Sequence, residues 1–215
     1  MSVFFGWDRV SLSKGSRKNE RGKVMGQYYK VAFRHNCDTK VTVNDRKVKG
    51  VEYILAKLLE HGYIYTHLCV AVAREMLDNP THLAWVGDYA EEDELKRISN
   101  GEFGYESVWD TEHDHAFPPP KTESGFYAGK YLLNHTKGQY ISFDDYFDAL
   151  NEQSPWIVCP FAVLTAVGNG RGGGDYRGVN EDLAGAWAWD ELEITGNEEK
   201  FSGYEKVNPI FENGF

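Results

Sequence analysis

The sequence predicts an α+β fold, a single domain with a mixed or mainly antiparallel sheet and several short helices. Of the 215 residues, 41% are hydrophobic and 14% aromatic, a composition typical of a globular chain with a sizeable core. Short runs of β-forming residues alternate with short stretches of helical periodicity. We find no internal repeat and no heptad pattern, which argues against a solenoid or a coiled coil.

The first half of the chain predicts strands followed by short helices. Thr66 is a suitable N-cap for a helix that ends at Asn79-Pro80. Ile54 and Leu58 lie on one face of an earlier helix. In order, we predict strands over 27–33 and 40–43, a turn at Asn44-Asp45, helices over 51–60 and 67–77, a strand over 83–86 and a helix over 91–98.

The second half predicts a long loop and then a hairpin. Residues 100–125 contain glycines, acidic residues and three consecutive prolines at 118–120, which favour extended structure. Gly138 allows the tight turn of a hairpin. We predict hairpin strands over 131–133 and 139–143, a helix over 144–150 that begins at Ser142 or Phe143, and a strand over 186–194 in which Trp187 and Trp189 alternate.

Charge and cysteine usage limit the classes of function. The net charge of −10 disfavours direct binding to nucleic acid or to an anionic membrane, and fits either a soluble surface or docking on a basic partner. Cys37, Cys69 and Cys159 form no CxxC pair, which favours reduced thiols in a cytosol. No apolar run is long enough to span a membrane and no signal peptide is evident, so we expect a cytoplasmic protein.

Residues 1–24 differ from residues 25–215, which we predict to form the single globular domain. The first segment is basic and contains little apolar surface, as expected of a flexible arm. Its residues 20–22 can also be encoded by a purine-rich stretch that resembles a bacterial ribosome-binding site. Met25 is therefore a candidate native start.

The best candidate for a binding site is a glycine-rich segment, which we name the glycine loop. Its backbone can adopt positive φ repeatedly and point several N–H groups at one anion. A nucleotide-like ligand is the predicted occupant, with Arg171 supplying attraction. The loop comprises Gly168, Asn169, Gly170, Arg171, Gly172, Gly173, Gly174, Asp175 and Tyr176.

Two other interpretations of the glycine loop stay open, a dinucleotide-binding turn and a purely structural turn, and so does the structure of the segment before it. The spacing G-x-G-x-x-G is that of a dinucleotide-binding turn, but residues 175–180 form a poor helix and too little chain follows. The apolar segment before the loop is either a strand, or a helix that begins at Pro160 and is capped by Gly168. Alternatively, the glycines only allow strands and a helix to pack closely.

Other candidate chemistry is sparse. Trp85 and Asp88 flank a turn that can offer a stacking surface beside a polar group, or simply end a strand whose aromatic residues are in the core. His113 and His115 are weak metal-ligand candidates without a distant partner. Since no nucleophile motif is present, we expect no catalytic activity, and the sequence indicates no specific cofactor.

Three segments together resemble a group of uncharacterised proteins of phages, prophages and Firmicute-type bacteria. These segments are MGQYYK at 25–30, WVGDYA at 85–90 and GNGRGGGDY at 168–176. The likeness spans most of residues 25–215 and implies no activity or catalytic residue. It implies a context in which small phage proteins act on host proteins, often in counter-defence.

Two functions follow as expectations. In one, the glycine loop sequesters a nucleotide-like anion, so that Gly172→Val and Arg171→Ala abolish binding without unfolding the chain. In the other, the acidic surface occludes the basic face of a host nucleic-acid-binding protein.

Overall fold

The computed structural model describes residues 26–43, 47–48, 51–52, 57–109, 125–150 and 156–212. The strands are β1 (Tyr29–His35), β2 (Thr42–Val43), β3 (Lys47–Val48), β4 (Val51–Glu52), β5 (Thr81–Gly87), β6 (Tyr131–Asn134), β7 (Gln139–Ser142), β8 (Ala166–Val167), β9 (Glu191–Thr195) and β10 (Glu205–Lys206). The helices are α1 (Leu58–His61), α2 (His67–Glu75), α3 (Glu92–Ile98), α4 (Tyr105–Trp109), α5 (Phe143–Ala149) and α6 (Pro160–Leu164).

Most of these strands form one mixed sheet, as the sequence predicts. Its order is β10-β7-β6-β9-β5-β1-β2, with β8 paired to β5 beside this path, while β3 and β4 form a separate two-stranded ribbon. The β10–β7 and β5–β8 pairs are parallel and the others are antiparallel. The α+β fold class is therefore confirmed for the described part of the chain.

The sheet separates two hydrophobic cores, because successive side chains of a strand point to opposite faces. Val31 of β1 is paired with Trp85 of β5, and both belong to the larger core, which α2, α5 and α6 cover. The next pair, Ala32 and Ala84, belongs to the smaller core, where Leu95 of α3 and residues of α4 pack.

Strand β5 positions the glycine loop because it changes partner along its length. Its first residues, Thr81 and His82, pair with β9, whereas Trp85 and Val86 pair with β8. Strand β8 leads directly into the glycine loop. The loop therefore lies beside the turn that follows the end of β5.

Predictions that depend on local signals are confirmed. The side chain of Thr66 accepts a hydrogen bond from Cys69 N and caps α2, and Ser142 caps α5 in the same way through Asp145 N. Gly138 has a φ of 63° in the hairpin turn between β6 and β7. Each of these features depends on a few consecutive residues.

Two helix predictions are wrong in part. Residues 51–52 belong to β4, so the helix predicted over 51–60 is limited to Leu58–His61 in the described residues. The apolar segment before the glycine loop combines both earlier interpretations. It forms α6, whose cap is Thr165 rather than Gly168, and then β8, because residues 166–167 find a strand partner in β5.

Two further predictions fail where distant contacts decide. Part of the loop expected over 100–125 is the helix α4. The strand expected over 186–194 begins only at Glu191, since Trp187 N–H donates to Leu164 O and Trp189 N–H donates to Leu83 O, both at 2.7 Å. These bonds make residues 184–189 a series of turns that bridges the gap between β8 and β9.

Several predictions fall outside the described residues. They are the basic segment 1–24, the turn at Asn44-Asp45, the prolines at 118–120, and His113 and His115. Within the described part of the chain, no helix combines the length and apolarity that crossing a membrane requires.

Candidate functional site

The three motifs noted in the sequence lie against one another in the fold. Gln27 N–H donates to Gly173 O at 2.7 Å, and its side-chain amide donates to Gly168 O at 3.0 Å. At the turn after β5, Tyr28 N–H donates to the Asp88 carboxylate at 3.1 Å and Asp88 N–H donates to Tyr28 O at 2.9 Å. Segments that are far apart in the sequence therefore form one structural unit.

The glycine loop holds an acidic group of its own. The Asp175 side chain is fully buried, where it accepts a hydrogen bond from Gly172 N–H at 2.7 Å and another from the Tyr29 hydroxyl at 2.8 Å. Burial raises the pKa of Asp175, although the backbone N–H groups of the loop and the Tyr29 hydroxyl act in the opposite direction. Burial and the neighbouring carboxylate likewise raise the pKa of Tyr29.

The glycines of the loop allow a close approach to Gln27. A Cβ added at Gly172 would lie 2.4 Å from the Cβ of Gln27, and real Cβ atoms do not come so close to another carbon. Gly168 has a φ of 89°, in the left-handed region, and a Cβ there would meet Ala90 N at 3.0 Å. Packing within the chain therefore accounts for the glycine content at these two positions.

Arg171 and Asn169 also have partners inside the chain. Arg171 donates to Tyr89 O at 2.9 Å and forms an ion pair with Glu94 of α3 at 2.8 Å. Asn169 closes the loop through two hydrogen bonds with the backbone of Tyr176, at 3.0 and 2.8 Å. The polar groups that a ligand would need are thus engaged with the protein itself.

The geometry sets a condition on any anion at the glycine loop. A phosphate that uses Gly172 N–H must displace the Asp175 carboxylate, and like charges repel if Asp175 stays nearby and ionised. The loop also leads into residues 177–180, which form no helix, so no helix N-terminus adds its dipole directly after the loop. Anion binding at this loop stays a prediction.

The remaining predicted site residues have structural surroundings. Trp85 is fully buried in the larger core, and its indole N–H has no hydrogen-bond partner among the described residues. Asp88 belongs to the turn that pairs with Tyr28. Within the described ranges, no three His, Cys, Asp or Glu side chains are grouped to hold a metal ion.

A groove of about 550 Å³ lies on the smaller-core side of the sheet. Arg34 of β1 and Glu102 span it with an ion pair of 2.8 Å, above the buried ring of Phe103. Because Arg34 and Glu102 neutralise each other, the groove presents no dominant charge to a ligand. Its other lining residues are Asp38, Thr39, Lys40, Val41, Val43 and Ser107.

Two strongly exposed aromatic side chains lie on paired segments of the chain, and we name them, with two supporting rings, the aromatic patch. Trp156 is 64% exposed and Tyr65 is 40% exposed. The Trp156 ring packs edge-on against Tyr63 at 5.1 Å, and the Tyr65 ring stacks on Phe147 of α5 at 6.1 Å. The patch thus consists of Tyr63, Tyr65, Phe147 and Trp156.

Backbone hydrogen bonds hold the two segments of the aromatic patch together. Ile64 N–H donates to Ile157 O at 2.9 Å, and Tyr63 and Val158 form an antiparallel bridge. This pairing brings the segment that carries Tyr65 beside the segment that carries Trp156. The exposed aromatic surface is therefore supported by ordered backbone.

Comparison with known proteins adds no relative. No family model, curated protein or solved structure matches this chain. The function must therefore be argued from the surfaces of the protein itself.

Sequence reasoning missed the aromatic patch. Tyr63 and Tyr65 precede the helix cap Thr66, and Trp156 begins an apolar run, so all three read as ordinary core candidates. The available signal was their position in connecting segments, where aromatic residues are less often covered. Exposure itself is decided by the tertiary structure.

Proposed function

We propose that this protein is a non-catalytic binding protein that docks on a basic partner protein through the aromatic patch. The exposure of Trp156, 64%, carries the proposal. The described residues include three large, exposed hydrophobic side chains, Trp156, Tyr65 and Val179, and two of them belong to the patch. Exposed tryptophan and tyrosine are enriched among residues that dominate binding energy at protein interfaces.

Charge favours a basic partner. The chain carries a net charge of −10, which attracts a cationic surface over a distance of about a Debye length. Asp148 follows Phe147 of the patch and is exposed, whereas the nearby Glu60 is paired with Lys57 at 2.8 Å. The faces of exposed indole and phenol rings bind arginine and lysine through cation–π attraction.

The resemblance to phage-associated proteins extends the proposal to a partner in a bacterial host. A host nucleic-acid-binding protein presents the basic face that this surface would complement. Occluding that face would inhibit nucleic-acid binding, as a counter-defence protein could do in the host cytoplasm.

The test is affinity capture from host extract with the full chain, followed by measurement of the dissociation constant with the purified partner. We expect Trp156→Ala and Tyr65→Ala each to weaken binding by about thirtyfold or more, since aromatic anchors contribute about 2 kcal/mol or more. Val179→Ala is the matched control, because Val179 is 49% exposed but lies outside the patch. Equal capture by all four proteins, or a partner without a basic surface, would contradict the proposal.

A nucleotide-like ligand at the glycine loop is the second candidate and has its own test. Thermal-shift measurements with nucleotides, cyclic nucleotides and ADP-ribose derivatives separate it from the first. If the Gly172 N–H stays bonded to Asp175, no ligand should raise the melting temperature. A rise that disappears in Arg171→Ala would favour the ligand instead. Arg177→Ala is the control, because Arg177 is a neighbouring arginine that donates to Gly170 O at 3.5 Å and takes no part in the ion pair between Arg171 and Glu94.

A further inference from the structure

The two buried cysteines occupy neighbouring segments of the larger core. Cys69 lies in the first turn of α2 and Cys159 precedes α6, and both are fully buried and free. The thiol of Cys69 lies 3.7 Å from His61 O, while Cys159 N–H donates to Gly62 O at 2.7 Å. Since residues 61 and 62 are consecutive, the same short segment contacts both cysteines.

The thiol of Cys69 also acts on the thiol of Cys159. Burial raises the pKa of Cys159, and the hydrogen-bonded thiol of Cys69 raises it further. A thiol held in its protonated form reacts slowly, because the thiolate is the nucleophile in exchange with a disulfide. Because both thiols are fully buried, their reaction with a small molecule requires a transient opening of the core.

The cysteine pair lies next to the aromatic patch. Tyr127 neighbours both Cys69 and Cys159, and its ring packs edge-on against Tyr65 at 6.1 Å. Cys159 also continues the segment that carries Trp156. A bond between the two sulfurs would join the two segments that present the exposed rings.

We propose that Cys69 and Cys159 are a modification site at which a low-molecular-weight disulfide, such as oxidised glutathione, forms an intramolecular disulfide. One cysteine thiolate attacks a glutathione sulfur, which forms a mixed disulfide and releases the first glutathione thiolate. The second cysteine thiolate then attacks the protein sulfur of that mixed disulfide and releases the second glutathione. Both cysteines are oxidised, the glutathione disulfide is reduced, and the two thiol protons end on the two glutathione molecules.

This chemistry does not depend on the proposed function, but its effect on binding does. A closed disulfide would hold the segment of Tyr65 to the segment of Trp156 and restrict their relative movement. Sequence spacing conceals this pair, because the two cysteines lie far apart in the chain.

The experiment uses the full chain carrying Cys37→Ser, which removes the exposed third thiol. After overnight incubation with oxidised glutathione at mildly alkaline pH, the intact mass is measured and the remaining thiols are alkylated under denaturing conditions. We expect a mass lower by two hydrogen atoms, loss of both reactive thiols, and a melting temperature higher by roughly 5–10 °C, because the cross-link restricts the unfolded chain.

Matched controls add either Cys69→Ala or Cys159→Ala, and neither should lose two hydrogen atoms. Because no second thiol can then release the bound glutathione, any product should remain a glutathione adduct. Two results would overturn the proposal. One is retention of both thiols in the folded Cys37→Ser chain. The other is stable glutathione adducts on that same Cys37→Ser chain in place of the loss of two hydrogen atoms.

Discussion

Replacing Gly172 with alanine adds one methyl group and tests whether the glycine loop packs tightly against Gln27. The Cβ of Gly172→Ala would lie 2.4 Å from the Cβ of Gln27, 2.9 Å from its backbone nitrogen and 3.0 Å from Cε2 of Tyr89. Carbon atoms pack at about 3.5–4.0 Å, so the loop must move away from Gln27 by about an ångström. That movement strains the bonds of Gln27 N–H to Gly173 O and of Gly172 N–H to Asp175, both 2.7 Å.

The expected magnitude follows from these contacts. Overpacking costs about 1–3 kcal/mol and a weakened buried hydrogen bond about 1 kcal/mol, so the free energy of unfolding should fall by about 2–4 kcal/mol. For a chain of this length, that loss lowers the melting temperature by about 5–15 °C. Gly172→Val adds a larger side chain and should lower the free energy of unfolding further. The ligand hypothesis instead expects this variant to fold normally.

The assay is urea unfolding followed by circular dichroism for the wild type, Gly172→Ala and Gly196→Ala. Gly196 is the matched control, because its added Cβ would meet only Gly129 O, at 3.4 Å. We expect Gly196→Ala to stay within about 0.5 kcal/mol of the wild type. Equal midpoints for all three proteins would refute the reasoning and would mean that the loop has room beside Gln27.

Three further predictions test the surroundings of the site. Since burial raises the pKa of Asp175 above its unfolded value, its ionisation should cost stability as pH rises from about 4 through the raised pKa. Asp175→Asn should remove this slope in urea titrations between pH 4 and about 7, and an unchanged slope would contradict the assignment. Trp156→Phe, in a Trp7→Phe, Trp109→Phe background, should remove most of the fluorescence that acrylamide quenches, because Trp85, Trp187 and Trp189 are buried whereas Trp109 is only partly buried; undiminished quenching would show that Trp156 is covered. Ser142→Ala should lower the free energy of unfolding by about 1 kcal/mol through loss of the α5 cap, measured against the exposed Ser202→Ala.

Features that depend on a few consecutive residues could be predicted from the sequence, and features that depend on distant contacts could not. Thr66 and Ser142 each act on a backbone N–H three residues away, and Gly138 acts within one turn, so all three could be recognised in the sequence. Trp189 is the opposite case. Its backbone N–H bonds to Leu83 O and its φ is 63°, so a residue type that favours strands ends up in a turn.

The candidate site also combines a feature that the sequence shows with one that only the fold decides. The sequence singles out the glycine loop as an unusual segment, but glycine allows close backbone packing and ligand binding equally well. The choice depends on what occupies the space beside the loop. In the fold, Gln27 lies against Gly172, and Asp175 accepts the N–H group that an anion would use.

The sequence by itself determined the α+β class, the helix caps, the hairpin and the acidic charge, because these depend on composition and on neighbouring residues. Only the tertiary structure decided that the glycine loop is filled from within the chain, that Trp156 and Tyr65 are exposed together, and that Cys69 and Cys159 are neighbours. Each of these depends on contacts between segments far apart in the chain. Such contacts are selected by the packing of the whole domain, and no short stretch of sequence encodes them.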